Sequence, residues 1–326
     1  MAEKITVPTL GESVTEATVS KWLKSFDCPH KIIFDVDFIS NCEIIDYSVE
    51  EIIKYIEIQF GCGLEEVDVI WCRKWHLNKL KEVIDIDSFD FNSIHTLSLS
   101  ISKEIKEISD LLLDFLPKEK MINDFNSKKT SKLKQLISAQ NCGLNIPETH
   151  IVKSKNSINQ LKEPLSYITK PMKEGVSINY DTESYTTFTA RVKFENNELE
   201  DQFIPSLVQK EIKKDYEIRS FVLGEEIFSM AIFSQGNSKT EVDFRQYDAI
   251  NPNRVCRYEL PEDISIKVKM LCKTLGLKTG SVDMIVDKQN KFYFLEINPF
   301  GQFGMVSKPN NYNLEYEFAK YLKSYA

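Results

Sequence analysis

The chain has 326 residues, enough for two or three domains, and its 42% hydrophobic and 28% charged content is that of a globular protein with sizeable cores. A formal net charge of −8 argues against nonspecific grip on a phosphate backbone, so no nucleic-acid partner is expected. The seven cysteines are scattered without metal-ligand spacing and read as reduced thiols. The chain has no long apolar span and no signal-like opening, so the expectation is a cytoplasmic protein with no membrane partner.

In chain order, residues 3–24 come first. They resemble the start of a lipoyl domain, but the acidic hairpin that would carry a lipoylated lysine does not follow, and no lipoyl function is assigned. The physical reading is a strand at Ile5–Val7, a turn at Gly11, and a capping box at Ser13–Glu16. A helix with Val14, Ala17, Val19, Trp22 and Leu23 on its apolar face then follows. Strand then helix is how a Rossmann-like domain begins. Lys31–Phe34 would be its second strand, Val49–Gln59 an amphipathic or strand segment, and Val67–Arg73 a strand ending in a basic cluster. Residues just past strand ends face the ligand crevice of an open α/β sheet. Arg73, Lys74 and His76 are therefore candidates to bind an anion, the alternative being solvated charges beside Trp75. Apolar residues at helical spacing from Ile101 to Phe115 predict a helix that closes the first domain at Pro117.

A polar stretch over 123–134 reads as a linker. It is followed by a helix from Ser131 with Gly143 as its C-terminal signal, and by an extended run to Val152. Tyr167–Lys170 is a short strand ending in a lysine, with Gly175 in the loop behind it. A lysine so placed can reach phosphate oxygens as a compact cation, although a lone Lys132 or Lys170 is more often just a surface lysine.

The last third is strand-rich. Leu207–Ile212, Tyr216–Gly224 and Glu225–Phe233 read as strands, with a hairpin turn at Gly224–Glu225. Exposed backbone at Gln209, Lys210, Glu211 and Ile212 could meet an adenine edge. Glu217 could accept from ribose hydroxyls, and Arg219, on the same strand face, could meet a phosphate. Asp243 and Arg245 form a second acidic-basic pair, which a local ion pair would also explain. Val282–Val286 and Phe292–Ile297, joined by the turn residues Asp287–Asn290, predict a hairpin. Asp283 and Glu296 then lie on adjacent strands, with Asn298 two residues beyond Glu296 on the same face. Two carboxylates and an amide oxygen suit Mg²⁺, a hard ion that completes its shell with water and phosphates, the alternative being two edge carboxylates with a strand-ending Asn-Pro. Leu314, Phe318 and Leu322 predict an amphipathic, core-docked C-terminal helix.

This order of elements resembles the ATP-grasp superfamily over nearly the whole chain. More narrowly, Tyr216–Phe221, Val242–Arg245, Leu277–Asp283 and Glu296–Ser307 are similar to the peptide ligases that make graspetides, such as microviridin ligases and grasp-with-spasm maturases. The resemblance implies an α/β and α+β ATP-grasp fold. Its parts would be an N-terminal Rossmann-like (pre-ATP-grasp) domain over 1–120, a central subdomain over 121–206, and a C-terminal subdomain with the metal site over 207–326. It implies ATP and Mg²⁺ as cofactors, with Lys132 and Lys170 on ATP phosphates, Gln209 to Ile212 as the adenine hinge and Glu217 at the ribose. Arg219 and Arg245 would lie at the γ-phosphate and acyl phosphate, Asp283, Glu296 and Asn298 on the metal, and Arg73 and Gln302 toward substrate. Ser131 stands where ATP-grasp enzymes often carry Asp or Asn before the first lysine.

The activity implied is phosphorylation of Glu or Asp side chains of a ribosomal precursor peptide and their joining to Thr or Ser hydroxyls as esters. A leader segment would be read by pockets and basic patches such as Lys210, Lys213, Lys214 or Lys128–Lys129, and such enzymes are often homodimers. Two alternatives stay open. One is a carboxylate-amine ligase acting on a small molecule or forming side-chain amides with Lys; the other is a non-catalytic binding module on a decayed ATP-grasp fold.

Overall fold

The structure, a computed structural model, describes residues 13–33, 38–39, 41–72, 91–124, 127, 131–161, 167–173, 177–180, 183–186, 189–192, 201–236 and 252–326; for 13–16, 91–95, 177–180 and 183–186 it describes backbone only. The expected strand at Ile5–Val7, Gly11, the cluster of Arg73, Lys74 and His76, Lys128, Lys129, Gly175, Asp243 and Arg245 lie outside the described residues. The chain forms two compact units, one of residues 1–125 with 315–326 and one of residues 126–314.

The first unit contains helices α1 (Ser13–Ser25), α2 (Val49–Phe60) and α3 (Phe91–Asp114), and the strands β1 (Ile70–Trp71) and β2 (Met121–Ile122). Capping decides the ambiguous segment at 49–59 in favour of helix. Ser48 Oγ accepts from Glu51 N–H at 3.2 Å, Gly61 ends the helix in the left-handed region at φ 76°, and Ile52, Tyr55 and Ile56 form its buried stripe. β1 and β2 pair in parallel, but over two residues only, so the strand expected over 67–73 is shorter than its apolar pattern suggested. Its partner is bounded by a turn at Lys118–Lys120 and by Asn123 at φ 58°, which leaves no more ladder to pair with. Of the second strand expected at 31–34, residues 31–33 join no sheet among the described residues and Ile32 is 46% exposed, while Phe34 lies outside them.

The second unit begins with α4 (Lys132–Asn141), β3 (Thr149–Ser154), α5 (Lys155–Asn159) and β4 (Tyr167–Lys170), followed by β5 (Ser177–Tyr180), β6 (Glu183–Thr186), β7 (Ala190–Arg191) and β8 (Gln202–Lys210). Ser131 caps α4 by accepting from Lys134 N–H at 3.2 Å, the service that Asp or Asn would perform there, and Gly143 follows its end at φ 80°. β3, β8, β4 and β7 form a four-stranded sheet in that order, and β5 pairs with β6. Three residues, Glu211–Lys213, then lead into β9 (Lys214–Leu223), β10 (Glu226–Phe233), β11 (Arg254–Tyr258), α6 (Glu262–Thr274), β12 (Thr279–Asp287) and β13 (Phe292–Asn298).

These last strands form an antiparallel sheet in the order β11-β10-β9-β12-β13, with both expected hairpins present: Gly224 turns β9 into β10, and Asn290 at φ 58° turns β12 into β13. One face buries Val282, Met284, Val286, Phe294 and Ile297 against Leu136 and Ala139 of α4 and Val268 and Leu271 of α6. Each such side chain contributes about 2 kcal/mol on burial. On the other face Phe303, just before the short helix α7 (Gly304–Ser307), lies with its ring 4.7 Å from that of Phe221.

The C-terminal helix α8 (Leu314–Lys323) buries Leu314, Phe318 and Leu322, the stripe expected of it. Within the first unit, Phe318 and Tyr316 place their rings 4.3 Å from Trp71 and 4.9 Å from Trp22. All seven cysteines are free thiols. Among the described residues no helix is long and apolar enough to cross a membrane.

Candidate functional site

The second unit carries Glu217, Arg219, Asp283, Glu296 and Asn298 on one open face of its five-stranded sheet, while Lys132 comes from α4 and Lys170 and Gln209 from the four-stranded sheet. Arg219 on β9 pairs with Asp283 on β12, and Asp283 pairs with Glu296 on β13, so one row crosses three adjacent strands. Arg219 Nη1 donates to both oxygens of Asp283 at 3.0 Å. Lys132, in the first turn of α4, reaches Glu296 Oε2 at 3.2 Å and the carbonyl of Pro171 at 3.4 Å. The result is a line of alternating charge, Lys132, Glu296, Asp283, Arg219, with each side chain no more than 20% exposed. α4 also pins β13 itself, because Gln135, one turn after Lys132, accepts from Ile297 N–H at 3.0 Å.

Two β-bulges build this row. Between β12 and β13 the register steps from Asp283 with Glu296 to Met284 with Phe294, leaving Leu295 as an extra residue. Phe294 lies on the core face, so uninterrupted alternation would put Glu296 there too; the bulge turns it to the open face beside Asp283. Between β9 and β12 the register steps from Val286 with Tyr216 to Asp287 with Lys214, leaving Asp215 extra. Lys214 thereby joins Glu217 on the open face.

Glu217 is 4% exposed, with Lys214 Nζ at 2.6 Å and Ser234 Oγ at 2.8 Å from its Oε1. Burial pushes its carboxyl above the usual carboxylate range, while Lys214 and Ser234 act in the opposite direction. Sequence reasoning missed Lys214 and Ser234 as parts of the site. It grouped Lys214 with surface lysines that would read a leader, whereas the side chain is 6% exposed and bound to Glu217.

The segment expected as a hinge is present where the two sheets of this unit join. Gln209 is 1% exposed and shares a sheet face with Lys170, since Gln209 pairs with Ile168 and Leu207 with Lys170. Its Nε2 donates to Thr149 Oγ1 at 2.8 Å, while Oε1 is a buried acceptor with no hydrogen-bond partner. Lys210 N–H is committed to Glu148 O at 2.8 Å, and the Glu211 side chain forks onto Arg191 at 2.7–3.0 Å. That leaves the backbone of Glu211 and Ile212, beyond the ladder and without backbone hydrogen bonds to the described residues, as the part of the hinge open to a ligand edge.

Asn298 is exposed, pairs with Ser281, and accepts Phe300 N–H on Oδ1 at 3.1 Å. An amide oxygen has a second lone pair, so this turn bond orients it without using it up. The following loop folds back tightly. A Cβ on Gly301 would lie 2.4 Å from Ser281 Cβ, and Ser281 Oγ donates to Gln302 O at 3.1 Å. Gln302 itself is exposed beside the fully buried Phe303.

The donor set fits a hard divalent cation with an anion. No cluster of three or more His, Cys, Asp or Glu suited to a metal exists among the described residues. Asp283, Glu296 and Asn298 supply oxygen only, which suits Mg²⁺ sharing its shell with phosphate and water. Arg219 Nε is buried with no hydrogen-bond partner. An unmet buried donor costs about 1–3 kcal/mol, and a phosphate oxygen would satisfy it.

No protein-family model matches the chain, and no curated protein matches it. Solved structures do. It is similar to the macrocyclase MdnC of Microcystis aeruginosa MRC, solved with the precursor peptide MdnA, at 23% identity over 98% of each chain with a TM-score of 0.74. It is similar to a RiPP-associated ATP-grasp ligase of Chryseobacterium gregarium, solved with ADP and a leader and core peptide, at 22% identity over 95% of this chain and 93% of that one, TM-score 0.73. The ATP-grasp ligase PsnB, solved with a phosphomimetic variant of its minimal precursor, Mg and ADP, matches at 14% identity over 96% of this chain and 95% of that one, TM-score 0.71. The chain therefore shares the fold of this macrocyclase and these ATP-grasp ligases along nearly its whole length.

Proposed function

We propose that the chain is an ATP-dependent peptide ligase that activates Glu or Asp side chains of a ribosomal precursor peptide and joins them to Thr or Ser hydroxyls of the same peptide. The observation that carries this reading is the charge row of Lys132, Glu296, Asp283 and Arg219. It sits in a fold shared with ligases solved on precursor peptides and ADP. In the reaction, a carboxylate oxygen of the peptide attacks the γ-phosphorus of ATP and ADP leaves, giving an acyl phosphate. A hydroxyl oxygen then attacks the acyl carbon, phosphate leaves, and the hydroxyl proton passes to solvent or a carboxylate.

Each residue has a task in this scheme. The Glu211 and Ile212 backbone meets the base, with Gln209 beneath it, and Glu217 meets the sugar. Lys132, Lys170 and Arg219 neutralise the phosphates where negative charge spreads during transfer. Mg²⁺, held by Asp283, Glu296 and Asn298, would supply charge neutralisation across the terminal phosphates. Arg245 belongs to the acyl phosphate in this proposal, and Arg73 and Gln302 to the peptide. Seven free thiols accord with a cytoplasmic setting, which is part of the same proposal.

The test is mass spectrometry of a Thr- and Glu-rich candidate precursor peptide after incubation with the chain and Mg-ATP. The reading expects ADP release and a product lighter by one water per ring, and hydroxylamine sensitivity then separates ester from amide. Unchanged peptide mass would sink it, and ADP release driven by free amino acids instead would favour a small-molecule ligase.

A further inference from the structure

Glu217 is held in an unusual way for a ligand-binding carboxylate. Lys214 and Ser234 both converge on Oε1, at 2.6 and 2.8 Å. Oε2 accepts no hydrogen bond from the described residues, yet it is not among the buried atoms left without a partner, so it is the oxygen that reaches the surface. One oxygen is thus clamped and the other presented.

The clamp depends on a local irregularity. In a regular strand Lys214 and Glu217, three apart, point to opposite faces. The extra residue Asp215 reverses that and delivers the ammonium to the carboxylate. Ser234 comes from the end of β10, whose Ile232 is the register partner of Glu217. Two strands therefore set one side chain, and all three residues are at most 6% exposed. From the hinge into β9 the order is Glu211 and Ile212, then Glu217, then Arg219 two residues or about 7 Å further on. This is the order of base, sugar and phosphate in a nucleotide.

We infer that Lys214 and Ser234 are positioning residues that pre-set Glu217 to receive the vicinal hydroxyls of a ribose through Oε2, making the site selective for ribonucleotides. The inference rests on the nucleotide-binding reading above. Without Lys214, the carboxyl is free to rotate or take up a proton, and a protonated oxygen no longer accepts two hydroxyl donors.

The test is calorimetric titration with Mg-ADP and with Mg-2′,3′-dideoxy-ADP, which needs no peptide. Lys214→Met is expected to weaken ADP by about tenfold and to leave dideoxy-ADP unchanged, because the lost hydrogen bonds exist only with the ribose. Lys214→Arg is expected to restore most of the ADP affinity. Ser234→Ala, which removes only a neutral hydroxyl, is expected to weaken ADP by about threefold with the same selectivity, and it carries the test if Lys214→Met fails to fold. Equal weakening of both ligands, or no weakening of either, overturns the inference. A wild-type chain that binds neither ligand overturns the nucleotide reading itself and this inference with it.

Discussion

Asp283 and Glu296 are register partners across β12 and β13, and the bulge that leaves Leu295 unpaired keeps Glu296 on Asp283's side of the sheet. Deleting Leu295 lets Phe294, Glu296 and Ile297 alternate core, open face, core opposite Met284, Asp283 and Val282, so Glu296 stays beside Asp283. An uncompensated buried carboxylate costs at least about 3 kcal/mol. Urea unfolding of the deletion variant is expected to show a smaller loss than that, and a loss of that size or more would mean that Glu296 had left Asp283's side.

The loop after β13 makes a second, independent prediction. Gly301→Ala drives a methyl group into Ser281, and overpacking of this kind costs roughly 1–3 kcal/mol. Adding Ser281→Gly removes the atoms it strikes. The double variant is therefore expected to be more stable than Gly301→Ala alone, as read by thermal melting. Additive losses would mean that the close approach of Gly301 to Ser281 is not what the loop requires.

Much of this site could be read from the residues because each signal was local. Turn chemistry at Asp287–Asn290 and the apolar runs on either side predict the hairpin, and Ser131 and Gly143 bracket the helix that carries Lys132. Lys214 and Ser234 could not be read in this way, since strand period puts Lys214 on the wrong face and no local signal marks Asp215 as a bulge. The same limit applied in the first unit. Lys31–Phe34 and Val67–Arg73 have strand-like composition, but the extent of a strand is set by its partner, and β2 offers only Met121 and Ile122.

A pH dependence follows from the residues beside the hinge. The hydrogen bond from His150 Nε2 at 2.9 Å, reinforced by the Tyr167 hydroxyl at 3.1 Å, holds Glu148 below the usual carboxylate range. A depressed carboxylate contributes stability above its unfolded pKa, and that contribution is lost as pH falls through the folded one. The side chain is 47% exposed, so solvent screens the effect. Glu148→Gln is expected to lower the melting temperature at pH 7 by no more than about 2 °C. The gap should close only as pH falls through the lowered pKa of Glu148, where both chains come to carry a neutral group. A gap that widens in acid would contradict this sign.

The central claim is that Asp283, Glu296 and Asn298 hold a divalent cation against a nucleotide's phosphates. The direct measurement is calorimetric titration of ADP with and without Mg²⁺ into the wild-type chain and into Asp283→Asn and Glu296→Gln. Magnesium is expected to tighten ADP by about tenfold or more in the wild type and to have no effect in either variant, while both variants keep their fold by circular dichroism. Magnesium-independent ADP binding in the wild type, or an undiminished magnesium effect in both variants, would contradict the account.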